Sequence, residues 1–144
     1  VWLGVSVEDQ LTADERVPLL LATPSAIRGV SYEPALAHVD FSRYMPNRAL
    51  NGRPCGCAEK LVGAWCPSCK GTGICGGGID WLIAGCESGP SARPAHPDWF
   101  RSARGQCAAA GVAFFMKQVS GWKGRPIKDM ALFPSDLRIR EYPK

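Results

Sequence analysis

Five cysteines crowd one stretch of this chain as Cys55-Gly-Cys57, Cys66-Pro-Ser-Cys69 and Cys75. A C-x-C pair and a C-x-x-C pair flanking a short polar loop can turn four thiolates towards one point, and zinc readily accepts such a tetrahedral shell. Cys55, Cys57, Cys66 and Cys69 are the expected ligands. The glycines and proline of Cys66-Pro67-Ser68-Cys69-Lys70-Gly71-Thr72-Gly73 let the chain turn tightly enough to aim N–H groups at the sulfurs. An iron–sulfur cluster would use the same thiolates with Cys75 as a spare ligand, and a disulfide framework would need an oxidising compartment. A closed four-thiolate zinc site holds a loop together and does no chemistry.

Chemistry is expected instead where four apolar runs end in polar residues: Ser6-Val7-Glu8-Asp9, Ser31-Tyr32-Glu33-Pro34, Glu87-Ser88-Gly89-Pro90 and Lys117-Gln118. If the runs are parallel strands, their carboxyl ends share one rim, where α/β proteins place ligands. Glu8, Glu33, Glu87 and Lys117 would then converge on one pocket. Three carboxylates and an amine suit substrate hydroxyl and amine groups, with Lys117 meeting an anion or balancing charge. His38 and His96 have no ligand-spaced partner and read as surface or capping residues. Cys86 and Cys107 read as core thiols.

The elements that must carry this rim are short. Val1–Val7, Ala26–Tyr32, Ile79–Gly85 and Val112–Met116 are apolar almost throughout, the pattern of strands covered on both faces. A capping box at Thr12-x-x-Glu15 opens a helix that Pro18 should kink. Pro97 opens a second helix burying Trp99, Ala103, Cys107 and Ala110, and Gly111 closes it. Trp2, Trp81, Trp99, Phe114 and Phe115 are spaced as core. The order β-α-β-insert-β-α-β argues parallel strands joined by right-handed crossovers. The expected fold is α/β, a parallel-stranded half of a (β/α) barrel, with residues 1–40 and 79–144 as the half-barrel and 41–78 as an inserted four-cysteine zinc loop.

The 144 residues suit one domain with its own core. The net charge of +4 comes from the second half, where arginines and lysines outnumber the acids. This suits an anionic substrate or nucleic acid, and equally a solvated face. No apolar run approaches the roughly 20 residues of a membrane span, so a soluble, cytoplasmic protein is expected. The opening Val1-Trp2-Leu3, mid-strand and without Met, suggests part of a longer protein or a processed or trimmed chain.

Cys66–Gly73 resembles the C-x-x-C-x-G-x-G repeat of DnaJ-type chaperones, which implies a zinc knuckle and not a chaperone. Over most of the remaining chain, Val1–Glu8, Val30–Pro34, Ile79–Pro90 and Gly111–Gln118 resemble the carboxyl halves of phage- and prophage-associated radical-SAM-like proteins. In that family a three-cysteine stretch near the amino end would hold a 4Fe–4S cluster that cleaves S-adenosylmethionine. Neither C-x3-C-x2-C nor a near variant occurs here. The resemblance therefore implies the carboxyl half of such a protein, with S-adenosylmethionine and the cluster bound only in a full-length parent. By the same analogy Ser6 and Glu8 would meet the nucleoside ribose, and Glu33, Glu87 and Lys117 would face adenosine or substrate. A missing amino-terminal half, or a second copy, would complete the barrel. The alternative is a non-catalytic zinc-containing module that grips nucleic acid or a partner protein.

Overall fold

The computed structural model describes residues 1–46 and 77–144. Along them run β1 (Trp2–Ser6), α1 (Gln10–Ala22), β2 (Ile27–Tyr32), β3 (Trp81–Gly85), α2 (Pro97–Ala110), β4 (Ala113–Ser120) and β5 (Pro126–Ile127). The strands lie side by side in chain order. The first four are parallel, and β5 turns back antiparallel to β4. The result is a mixed α/β fold around a mostly parallel sheet.

Side-chain alternation sorts the sheet into two faces. Val5, Val30, Leu82 and Phe114 are aligned in register, as are Tyr32, Ala84 and Met116 one pleat further on. These rows join Ala13, Val17, Leu20 and Leu21 of α1 and Phe100, Ala103 and Cys107 of α2 in one apolar cluster, so both helices cover the same face. Burying a side chain such as Leu82 there contributes about 1.5–3 kcal/mol.

Among the described residues no helix lies over the other face: Trp2, placed in the core by spacing, is 58% exposed, and Trp81 and Phe115 are half-buried, with Tyr142 of the tail packed against both of the latter. Trp2 and Trp81 meet edge to face, with ring centroids 5.7 Å apart, across Gly29 of the intervening strand. Beyond β4 the tail runs antiparallel along the free strand edge, Met116 N–H donating to Ile139 and Glu141 N–H to Phe114. The strand edge is thereby paired rather than left as a template for aggregation.

Local chemistry explains the helix ends. Asp9, not Thr12, caps α1: its carboxylate accepts from Thr12 N–H at 2.9 Å while the Thr12 hydroxyl accepts from Asp9 N–H at 3.1 Å. The capping box therefore begins one turn earlier than expected, at the first side chain able to accept. Pro18 removes one donor from the ladder without ending the helix, since Val17, Leu20 and Leu21 on either side of it are buried. In α2 Pro97 is the first helical residue, His96 caps through Nδ1, and Gly111 closes in the left-handed region at φ 65°.

Phe41, Tyr44 and Met45, within the expected 41–78 insertion, are buried in the α/β core. The chain departs and returns at one place. Ile79 N–H donates to the Tyr44 carbonyl at 3.0 Å, and a Cβ on Gly78 would lie 2.3 Å from the Pro46 nitrogen.

Candidate functional site: a charged rim at the carboxyl edge

Parallel pairing carries Ser6, Glu8, Glu33 and Glu87 to one edge of the sheet, at or just beyond the carboxyl ends of β1, β2 and β3. Lys117 reaches the same edge from inside a strand. β4 extends to Ser120, past the Met116 end expected from apolarity, and its register with β3 shifts so that Ala84 faces Met116 but Gly85 faces Gln118. This bulge leaves Lys117 unpaired in the ladder and directs its side chain outwards.

The rim resolves into three ion pairs. Lys117 Nζ donates to Glu33 Oε2 at 2.8 Å; Glu33 is largely shielded, with 17% of its side chain exposed, and Lys117 is half-exposed. Glu8 pairs with Arg16 of α1 at 3.1 Å, and the same guanidinium donates to the Ser6 carbonyl at 2.9 Å. Glu87 grips Arg93 through both oxygens, accepting from Nη2 at 2.6 Å, from Nε at 2.9 Å and from Arg93 N–H at 2.7 Å. The Arg93 side chain first, and its N–H second, push the Glu87 carboxyl down to about 2. Thus Glu33 and Lys117 come together, whereas Glu8 and Glu87 are each turned to a local arginine. The Ser6 side chain is exposed, at a residue level in the sheet with Ser31.

Beneath the rim, Gln118 is buried and its Nε2 donates to the Cys86 carbonyl at 2.7 Å. Burial raises the Cys86 thiol pKa, Ser120 opposes this with a hydrogen bond, and the nearby Glu33 charge adds to it, so the thiol stays protonated near neutral pH. Nothing in the local sequence marks Arg16, Arg93 and Gln118 for these roles, since each acts through a partner that the fold brings to it.

The opposite edge of the sheet is different in kind. Asp80 Oδ2 accepts from Arg28 N–H at 2.8 Å, and a cavity of about 850 Å³ is lined by Ile27, Ile79, Asp80, Val112, Glu141 and Tyr142. This concavity is at the amino ends of the strands and belongs to no part of the rim.

The predicted ligands Cys55, Cys57, Cys66 and Cys69, with Cys75, lie outside the described residues. Among the described residues no group of three or more His, Cys, Asp or Glu side chains is placed to hold a metal, and no helix is long and apolar enough to cross a membrane. His38 and His96 have local roles, a hydrogen bond to Ser102 and the α2 cap.

Fold and site together define a parallel-sheet α/β protein with charged residues along the carboxyl edge. The chain belongs to the family described as Protein of unknown function (DUF5131), whose profile matches residues 1–132. No curated protein and no solved structure matches it.

Proposed function

We propose that the carboxyl edge is an adenosyl- and substrate-binding rim, and that the chain is the carboxyl half of a radical-SAM-like (β/α) barrel of the phage-associated type. The observation that carries this reading is the winding: four parallel strands in chain order with both helices on one face. Doubly wound sheets reverse strand order at a switch point, whereas barrels do not. The face bearing Trp2, Trp81 and Phe115, which no helix covers among the described residues, suits the interior of a barrel that a further half, or a second copy, would close.

On this reading Ser6 and Glu8 receive the nucleoside ribose, while Glu33, Glu87 and Lys117 face adenosine or substrate. S-Adenosylmethionine would supply a radical precursor, cleaved at a 4Fe–4S cluster. This chain lacks the three-cysteine motif for that cluster, so no radical step is assigned to its own residues. Cys55, Cys57, Cys66 and Cys69 are proposed to hold a structural zinc, a donor set that suits the reduced thiols of a cytoplasmic protein. A second reading, a non-catalytic zinc-containing module for nucleic acid or a partner protein, draws support from the surplus cations of the second half.

The rim is tested in the full-length parent, where S-adenosylmethionine is expected to bind, by isotope-labelling this half, titrating with that ligand and following amide shifts. Shifts clustered at Ser6, Glu8, Glu33, Glu87 and Lys117, and lost in Lys117→Ala, support it. Shifts gathered at the Asp80–Glu141 cavity, or none at saturating ligand, overturn it.

A further inference from the structure

Between β4 and β5 the chain makes a tight hairpin whose tip, Gly121–Arg125, is held on all sides. Gly121 N–H donates to the Arg125 carbonyl at 2.7 Å, and Arg125 N–H returns to Trp122 at 3.2 Å. Lys123 takes φ 53° and Gly124 φ 75°, consecutive residues in the left-handed region. Gly124 is buried, and a Cβ there would lie 2.2 Å from the Ala92 carbonyl oxygen, so the tip is pressed against the loop that leaves β3. A Cβ on Gly121 would lie 2.9 Å from Ile127.

On this pinned hairpin Trp122 is 82% exposed and stacks on no ring among the described residues. Residues 99–128 contain no Asp or Glu. Their cations divide into two sets. Arg101 pairs with Asp98 and Asp136, Lys117 pairs with Glu33, and Arg104 donates to the Asp136 carbonyl. Lys123, Arg125 and Lys128 are exposed and make no ion pair among the described residues. Three cations without an ion pair among the described residues thus lie close in sequence to one outward-facing indole.

A single exposed tryptophan on a mobile loop would need no explanation. Here the backbone accepts a left-handed lysine and two close glycine contacts to hold the indole out, flanked by cations. We infer that the Trp122–Lys128 hairpin is a docking surface for single-stranded nucleic acid, with Trp122 stacking on an unpaired base and Lys123, Arg125 and Lys128 meeting phosphates. Charge complementarity selects a polyanion, and the indole selects one that exposes flat rings, which a base-paired duplex does not. A lipid surface fits less well, because Trp122 is the one large apolar side chain exposed at the hairpin tip. The inference deepens the binding-module reading and stands apart from the adenosyl rim.

The test measures binding of the full chain to a fluorescently labelled oligothymidylate by anisotropy, across a salt series. Wild type should bind with affinity falling linearly in log salt. Trp122→Ala should weaken binding about ten-fold with the salt slope unchanged, since base stacking is uncharged. Lys123→Glu with Arg125→Glu should weaken it further and flatten the slope by about 1.4, the value for two single-strand phosphate contacts. Both variants alter exposed side chains, and unchanged circular dichroism and melting temperature confirm their fold. No binding by wild type at low salt, or equal affinities for wild type and Trp122→Ala, overturns the inference. So does a Trp122→Ala defect confined to anionic phospholipid vesicles.

Discussion

Lys117 and Glu33 are 84 residues apart in sequence and come from strands that are not neighbours, yet Nζ and Oε2 lie 2.8 Å apart, across β3. Gly85 makes this possible. A Cβ at that position would lie 3.1 Å from the Glu33 Cδ and 3.3 Å from the Gln118 Cγ, tight enough to push the Glu33 carboxylate off its path over the middle strand.

Gly85→Ala should therefore destabilise the fold by about 1–2 kcal/mol, as overpacking does, and separate the pair. A double-mutant cycle of Glu33→Gln and Lys117→Met should give a coupling of about 0.5 kcal/mol in wild type, small because half of the Lys117 side chain is in water. In the Gly85→Ala background the coupling should fall to zero, read by urea denaturation. Undiminished coupling there would refute the steric account.

Glu87 predicts an acid limb in stability. Its folded pKa is depressed to about 2 from an ordinary 4.5, so its contribution is fully present above pH 4.5 and is lost as pH falls towards 2. Replacing Arg93 with Met removes the larger, side-chain cause but keeps the residue-93 N–H bond, so the Glu87 carboxyl should rise part of the way to its ordinary value and the stability-versus-pH curve should become shallower across that window. Thermal melts between pH 2 and 5 measure the difference; parallel curves for the two proteins would count against it.

Thiol reactivity should be graded by burial. Cys107 is fully buried and its pKa is pushed up to about 12, and Cys86 is shifted in the same direction. Neither should be alkylated by iodoacetamide at pH 8 in the native protein, and both should react once urea unfolds it, as mapped by peptide mass spectrometry. Rapid native labelling of Cys86 would show that the loop above it opens.

The metal and the insertion can be tested together. Protein purified in reducing buffer should carry about one zinc per chain, measured by elemental analysis, and Cys66→Ser or Cys69→Ser should release it. Replacing residues 47–76 with a short glycine–serine linker should remove all zinc yet leave a cooperative melt, because Tyr44 and Ile79 already meet at 3.0 Å and a short linker closes at low entropic cost. Zinc retained after excision would place the site elsewhere.

Apolar runs located β1 to β3 and the start of β4, and the order of strands and helices gave their parallel arrangement, but the cover on both faces that such runs imply is met by helices on one face only among the described residues. Pro97, Gly111 and the polar residues after each run were equally legible, because caps and strand ends are local chemistry. Tertiary structure decided the rest. That Trp2 and Trp81 stand on the face that no helix covers among the described residues depends on both helices choosing the other side, which no single segment encodes. The partition of the rim into Glu8–Arg16, Glu33–Lys117 and Glu87–Arg93 depends on a bulge at Lys117 and an absent side chain at Gly85, and pairing over such sequence distances is settled by register and packing. The exposure of Trp122 has the same origin: its neighbours in sequence are ordinary turn residues, and only the docking of Gly124 on Ala92 holds the indole in solvent.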